Sequence, residues 1–138
     1  VLRMALGSVS FLFMADTGRP TELALLRSDV RLGATVLKAG HHGSAASTSA
    51  ELLAAVRPRL VLVSAGEGNS YGFPSPAVLA RCREAEAEVL RTDLDGAVEL
   101  RTDGRRLSVR RAGASPRPAK DPDSGLTRPT KSVIIAVD

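Results

Sequence analysis

The sequence predicts an α/β fold, and three observations carry that prediction. Short apolar runs, each brief enough for a buried strand, alternate with helix-patterned segments from Val9 to about Cys82. The runs are bounded by Gly, Pro, Ser and Asp, the residues that stop regular structure. In the last third, apolar and polar residues alternate with a period of two around Asp103-Gly104, which predicts a C-terminal β-hairpin.

In chain order, Val1 to Ala5 and Val9 to Ala15 predict two strands paired across Leu6-Gly7-Ser8. Pro20 suits the first turn of a helix over Thr21 to Ser28, because its missing N–H has no partner there anyway. Residues 34–39 predict the next strand. Ser47-Thr48-Ser49-Ala50-Glu51 carries a capping signature, a Ser or Thr followed by an acid three residues on. Leu52, Leu53 and Val56 give that helix its apolar face, and Pro58 stops it. Leu60 to Ser64 is a continuous apolar strand. Ser75-Pro76 opens a further helix with Val78, Leu79 and Cys82 at helical spacing. Glu88 to Arg91, Ala97 to Arg101 and Leu107 to Arg110 then alternate as strands.

The chain of 138 residues suits one domain with a modest core. Aromatic residues make up only 3% and Trp is absent, so Leu, Val and Ala must fill that core. The single cysteine, Cys82, excludes an internal disulfide and a cysteine-cluster zinc site. No apolar run is long enough for a transmembrane helix. Residues 1–111 form the expected domain. Residues 112–138 form an expected disordered tail, since Pro116, Pro118, Pro122 and Pro129 stand among scattered charges with little to bury. Its apolar end, Val133 to Val137, either adds an edge strand or marks a cut in a larger sequence; the second is preferred.

Two positions stand out for chemistry. His41 and His42, the chain's two histidines, follow the apolar run Ala34 to Leu37 and precede Gly43, Ser44 and a polar loop. Imidazoles at such a strand end can ligate a metal or carry protons near neutral pH. Asp16 ends another apolar run, and open α/β sheets place their sites beyond the carboxyl ends of strands. An oxygen and one or two nitrogen ligands could thus meet at one point, a mixture that zinc accepts. The plainer alternatives are surface histidines and a turn or capping aspartate. The net charge is +4, with Arg105, Arg106 and Arg110 in a late basic cluster that favours a polyanionic partner such as DNA. A solvated hairpin face is the alternative, and no aromatic residues interleave to stack bases.

The ordered set of Asp16, Glu22, Lys38-x-Gly40-His41-His42-Gly43-Ser44, Ser64-x-Gly66, Asn69-x-Tyr71-Gly72-x-Pro74-Ser75 and Arg91-Thr92-Asp93-x-Asp95-Gly96 resembles one domain type. It is similar to the C-terminal metallo-β-lactamase-like domain of the ComEC/Rec2 DNA-internalisation proteins of bacterial competence, over residues 1–111. The resemblance implies half of a metallo-β-lactamase-like αββα sandwich, a mixed sheet with flanking helices and a C-terminal β-hairpin. Two departures accompany it. The superfamily's His-x-His-x-Asp-His box is absent, and Phe73 stands where the family shows a histidine. With Val1 opening directly in a strand, the chain reads as the second half of a longer domain.

By the same resemblance, Asp16 is a carboxylate bridging two Zn or Mn ions, His41 the last histidine ligand, and His42 a catalytic neighbour facing the substrate phosphate. Lys38 is either a strand-end surface residue or a phosphate contact. Ser44, Asn69 and Tyr71 either line the cleft or close turns. The implied activity is phosphodiester hydrolysis, with DNA as the implied substrate and this fragment inactive on its own. The implied setting is a bacterial, membrane-embedded parent with this domain on the extracytoplasmic face, and a free sheet edge through which the fragment could self-associate. A stand-alone hydrolase of another ester, cytoplasmic, and an inactive remnant that binds a partner or DNA remain the alternatives.

Overall fold

The structure, a computed structural model, describes residues 1–112 and 133–137. It is a mixed α/β arrangement of two sheets and flanking helices. Strands β1 (Leu2–Leu6), β2 (Val9–Phe13), β3 (Val36–Lys38), β4 (Leu60–Val63) and β5 (Glu88–Arg91) form a five-stranded sheet in that order. β1 and β2 are an antiparallel hairpin, with Leu6 opposite Val9, whereas β2, β3, β4 and β5 are parallel. Strands β6 (Val98–Thr102), β7 (Leu107–Arg111) and β8 (Val133–Val137) form an antiparallel second sheet with β6 in the centre.

Strand parity divides the core. Leu12, Leu37, Val61 and Val63 face helices α1 (Arg19–Arg27), α2 (Ala50–Val56) and α3 (Pro76–Glu84), where they meet Leu52, Leu53, Val56, Val78 and Cys82. The alternate residues Phe11, Val36, Leu60, Leu62 and Leu90 face the second sheet and pack on Val98, Leu100, Leu107 and Ile135. The layers are therefore helices, five-stranded sheet, three-stranded sheet. β3 and β4 are covered on both faces, which is why their sequences are continuously apolar instead of alternating. Each fully buried aliphatic side chain contributes about 1.5–3 kcal/mol, and packing of this kind leaves the Cys82 thiol buried and its pKa pushed up to about 11.

Two local details differ from the sequence expectations. The cap of α2 is Ser49, whose hydroxyl accepts from Leu52 N–H at 3.2 Å. Glu51 does not complete a capping box; its carboxylate forms a two-pronged pair with Arg19 of α1. Glu88 to Arg91 is a strand as expected, and it extends the parallel sheet beside β4. For residues 133–137 the structure has the edge strand, antiparallel to β6, in place of a disordered end; the Pro-rich part of the expected tail, 113–132, lies outside the described residues.

The β6–β7 hairpin turns at Asp103-Gly104 as the sequence predicts. Its turn docks on the β1–β2 turn, where Ser8 N–H donates to the Gly104 carbonyl at 2.7 Å and the Ser8 hydroxyl donates to it at 3.0 Å. The approach is close enough that a Cβ on Gly7, at φ +55°, would lie 2.3 Å from Gly104 O. β1 ends the larger sheet with Leu2 and Met4 exposed.

Candidate functional site

The parallel strands all end on one side, and their ends carry the predicted site residues. Asp16 follows β2, His41 and His42 sit in a single helical turn, Gly40–Gly43, directly after β3, and Ala65 and Gly66 follow β4. Together with the 69–73 loop they line an open cleft of about 530 Å³. Backbone bonds fix the assembly: Ala39 N–H donates to Leu62 O at 2.9 Å and His41 N–H to Ala15 O at 2.8 Å.

The turn is conformationally demanding. His41 and His42 both take left-handed backbone angles, φ 45° and 55°, and so does Ala15 at φ 53°. Non-glycine residues there cost about 1–3 kcal/mol each and cluster at functional sites. The two angles send the successive rings to different walls. His42 presents Nε2 to Asp16 Oδ1 at 3.5 Å, while its Nδ1 lies 2.8 Å from the Ser64 carbonyl. A carbonyl only accepts, so in the neutral ring Nδ1 holds the proton and Nε2 turns its lone pair toward Asp16. Metal-ligating histidines are commonly oriented by such a backbone contact. The His41 ring instead packs toward Phe73, with centroids 5.7 Å apart, and lies 6.3 Å from the His42 ring. The imidazole that meets Asp16 is thus that of His42.

Of the expected substrate contacts, Asn69 and Tyr71 line the cleft and Ser44 does not. Ser44 is turned into its own loop, where its hydroxyl accepts weakly from Ala46 N–H at 3.4 Å. The Asn69 side chain is committed to closing its loop: Nδ2 donates to Gly66 O at 2.8 Å and Phe73 O at 2.7 Å, and Oδ1 accepts from Phe73 N–H at 3.0 Å. Tyr71 is exposed and stacks on Phe73 with centroids 5.7 Å apart, leaving its hydroxyl at the rim. Phe73 therefore gives the cleft an apolar wall. Lys38, at the end of β3, is half-buried; burial pushes its amine's pKa down and the Asp16 charge offsets part of that.

Three supporting residues were not singled out as such from the sequence. Thr92 anchors the cleft wall by holding both backbone groups of Ala65, accepting from its N–H at 2.9 Å and donating to its carbonyl at 2.8 Å. Its place in the Arg-Thr-Asp box was the available signal. Glu22, fully buried, accepts from the backbone N–H groups of Thr48 and Ser49. Arg81 donates to the carbonyls of Ala45, Ser47 and Thr48 at 2.8–3.1 Å. Nothing in the sequence separates Arg81 from the other helix arginines.

Among the described residues no three His, Cys, Asp or Glu side chains come together to hold an ion. Catalytic zinc sites use three protein ligands. Asp16 and His42 therefore fit as a pair of ligands but do not make a complete Zn or Mn site. Of the three basic residues expected to meet nucleic acid, Arg105 and Arg106 lie at the β6–β7 turn, while Arg110 stands opposite Glu99 with 3.8 Å between charged atoms.

The chain is similar to three curated proteins. It is 35% identical over 101 residues to the ComE operon protein 3 of Bacillus subtilis (strain 168), covering 73% of this chain and 13% of that protein. It is 38% identical over 101 residues to the Competence protein ComA of Neisseria gonorrhoeae, covering 72% and 15%. To the Recombination protein 2 of Haemophilus influenzae it is 33% identical over 106 residues, covering 77% and 13%. The chain thus spans only about 13–15% of the length of these relatives. No family model matches the chain, and no solved structure does. Over about 73% of its length, and in agreement with the boxes read from its sequence, the chain belongs to the ComEC/Rec2 family.

Proposed function

We propose that this chain is part of a metal-dependent phosphodiester hydrolase domain that serves DNA uptake, with Asp16 and His42 as two of the ligands. One observation supports it above the others: an imidazole held at Nδ1 by the Ser64 carbonyl presents Nε2 to the Asp16 carboxylate on the lining of an open cleft. Left-handed residues at both contributing strand ends support it further, because the fold holds costly geometry at this place. The competence relatives supply the DNA context. A bound metal would supply a nucleophile from water near neutral pH, and the remaining ligands would come from outside the described residues. Within this chain, Asp16 and His42 orient that centre, Phe73 excludes water from one wall, and Tyr71 meets substrate at the rim.

Placement on the extracytoplasmic face of a membrane-embedded parent belongs to the same proposal. No helix among the described residues is long and apolar enough to cross a membrane. Self-association would run through the free edge of β1, beside exposed Leu2 and Met4.

The test substitutes this chain for the matching segment of the Bacillus subtilis relative and measures transformation. Asp16→Ala and His42→Ala should abolish it. Titration of Zn²⁺ or Mn²⁺ into the isolated chain should show weak binding that both variants lose and His41→Ala retains. Unchanged transformation in both variants would leave only an inactive, partner-binding remnant. Tight binding with ester hydrolysis by the isolated chain would instead establish a self-sufficient hydrolase.

A further inference from the structure

The cleft occupies one end of the parallel strands; a second depression, of about 420 Å³, occupies the other. It lies between the starting ends of β3, β4 and β5, marked by Thr35, Leu60 and Glu88, and the β6–β7 hairpin. Arg59, Arg105 and Arg106 line it together. In the sequence Arg59 stands far from the other two; the packing of one sheet on the other brings them to one place.

We propose that Arg59, Arg105 and Arg106 form a docking surface for the phosphodiester backbone of a nucleic acid strand, separate from the histidine cleft and at the opposite end of the sheet. All three side chains are exposed, and among the described residues none forms an ion pair. The one acid lining the depression, Glu88, is already paired with Arg111 at 3.2 Å. Asp103, in the turn, also acts on Arg106 through its charge but forms no ion pair with it, so the three guanidinium groups leave the depression net positive. Planar guanidinium groups match phosphate oxygens in paired geometry.

The surface is also held in place. Asp103 Oδ1 accepts from the backbone N–H groups of both Arg105 and Arg106 at 2.8 Å, and the turn is tied to Ser8 through the Gly104 carbonyl. Arg59 is set by its own N–H, which donates to Thr35 O at 3.0 Å, and by its carbonyl, which accepts from Glu88 N–H at 3.0 Å. Guanidinium groups on such a frame lose less freedom when they bind than they would on a loose tail. No aromatic side chain lines the depression, so bases have nothing to stack on, and contact is with the backbone irrespective of sequence. Arg110, engaged with Glu99, is not part of it.

The choice of nucleic acid as the polyanion rests on the DNA-uptake function proposed above; the charge and geometry do not. The experiment is fluorescence anisotropy of the full chain with labelled single- and double-stranded oligonucleotides over a salt series. Binding should be weak, indifferent to sequence and steeply salt-dependent. Arg59→Glu, Arg105→Glu and Arg106→Glu combined should weaken it about tenfold or more and lower the salt slope by roughly 0.9 per lost duplex phosphate contact. The Gln triple variant, which introduces no repulsion, should show a smaller loss in the same direction. Arg27, Arg31 and Arg83, also exposed but elsewhere, provide a Glu triple of equal net charge that should bind more tightly than the first.

Equal loss in both Glu triples would reduce the effect to net charge and overturn the surface. Wild-type binding that is absent at low salt would do the same. Tighter capture by vesicles of acidic phospholipid, competing with the oligonucleotide, would reassign the surface to a membrane. Metal titration and transformation report on Asp16 and His42, so failure here is distinguishable from failure of the proposed hydrolase.

Discussion

Glu22 and Arg81 grip the same loop with opposite charges and without touching one another. The carboxylate accepts the N–H groups of Thr48 and Ser49, and the guanidinium donates to the carbonyls of Ala45, Ser47 and Thr48. The clamped loop in turn holds Gly40: the Ser47 hydroxyl donates to the Gly40 carbonyl at 2.7 Å, and the Thr48 hydroxyl accepts from its N–H at 3.1 Å. The histidine turn is thereby fixed from α1 and α3, two helices that contribute no side chain to the cleft.

Substitution on either side of that clamp should therefore loosen the histidine turn. Glu22→Gln places an NH₂ against a backbone N–H in a buried site, and a loss of about 1–3 kcal/mol is expected. Arg81→Ala should cost less, since the Arg81 side chain is only partly buried and water can enter in its place, yet it should speed amide exchange at residues 40–49. Urea melts and hydrogen exchange measure both effects. Unchanged exchange in Arg81→Ala would show that the loop holds itself.

Gly43 and Gly66 should respond in opposite ways to alanine. A Cβ at Gly43 would lie 2.7 Å from Pro74 Cβ, at φ +80°, so both sterics and backbone oppose it. A loss of about 1–3 kcal/mol is expected from the backbone conformation alone. At Gly66 a Cβ meets nothing within 4 Å, and stability should stay within about 0.5 kcal/mol. Thermal melts of the two variants decide it.

Cys82 should be inert in the folded chain. Its thiol is buried, and desolvation holds its pKa at about 11, so thiolate is scarce at neutral pH. Alkylation by iodoacetamide should proceed only through unfolding and accelerate sharply in urea. Rapid labelling under native conditions would mean that α3 opens easily.

The arginine-bearing turn should weaken in acid. Asp103 has its pKa lowered by the N–H groups of Arg106 and Arg105 that its carboxylate accepts. A carboxylate with a folded pKa below its unfolded one adds stability above the unfolded value and loses it as pH falls through the folded value. Asp103→Asn should thus be less stable than the parent at neutral pH, and the difference should vanish in strong acid. A difference that persists there would assign the turn's stability to something other than this charge.

What the sequence determined by itself is local in origin. The apolar runs of β2, β3 and β4, Pro20 and Pro76 near their helix starts, and Asp103-Gly104 in its hairpin express preferences within a few residues of one another. The family boxes were legible for the same reason, since each is a short stretch with a fixed internal pattern. Tertiary structure decided whatever depended on distant partners. Glu51 looked like a capping acid until Arg19 stood beside it. Glu88 to Arg91 carried a strand pattern, but only the free edge of β4 settled which sheet it joined. His41 and His42 are neighbours in sequence, yet Asp16 meets the second, because the left-handed backbone at both residues turns their rings apart. Arg81 and Arg59 carried no local signal, as their roles lie in loops and strands brought to them by packing. Periodicity encodes which face of an element is buried; it does not encode which elements meet there, and in this fold the meeting places are the cleft and the arginine surface.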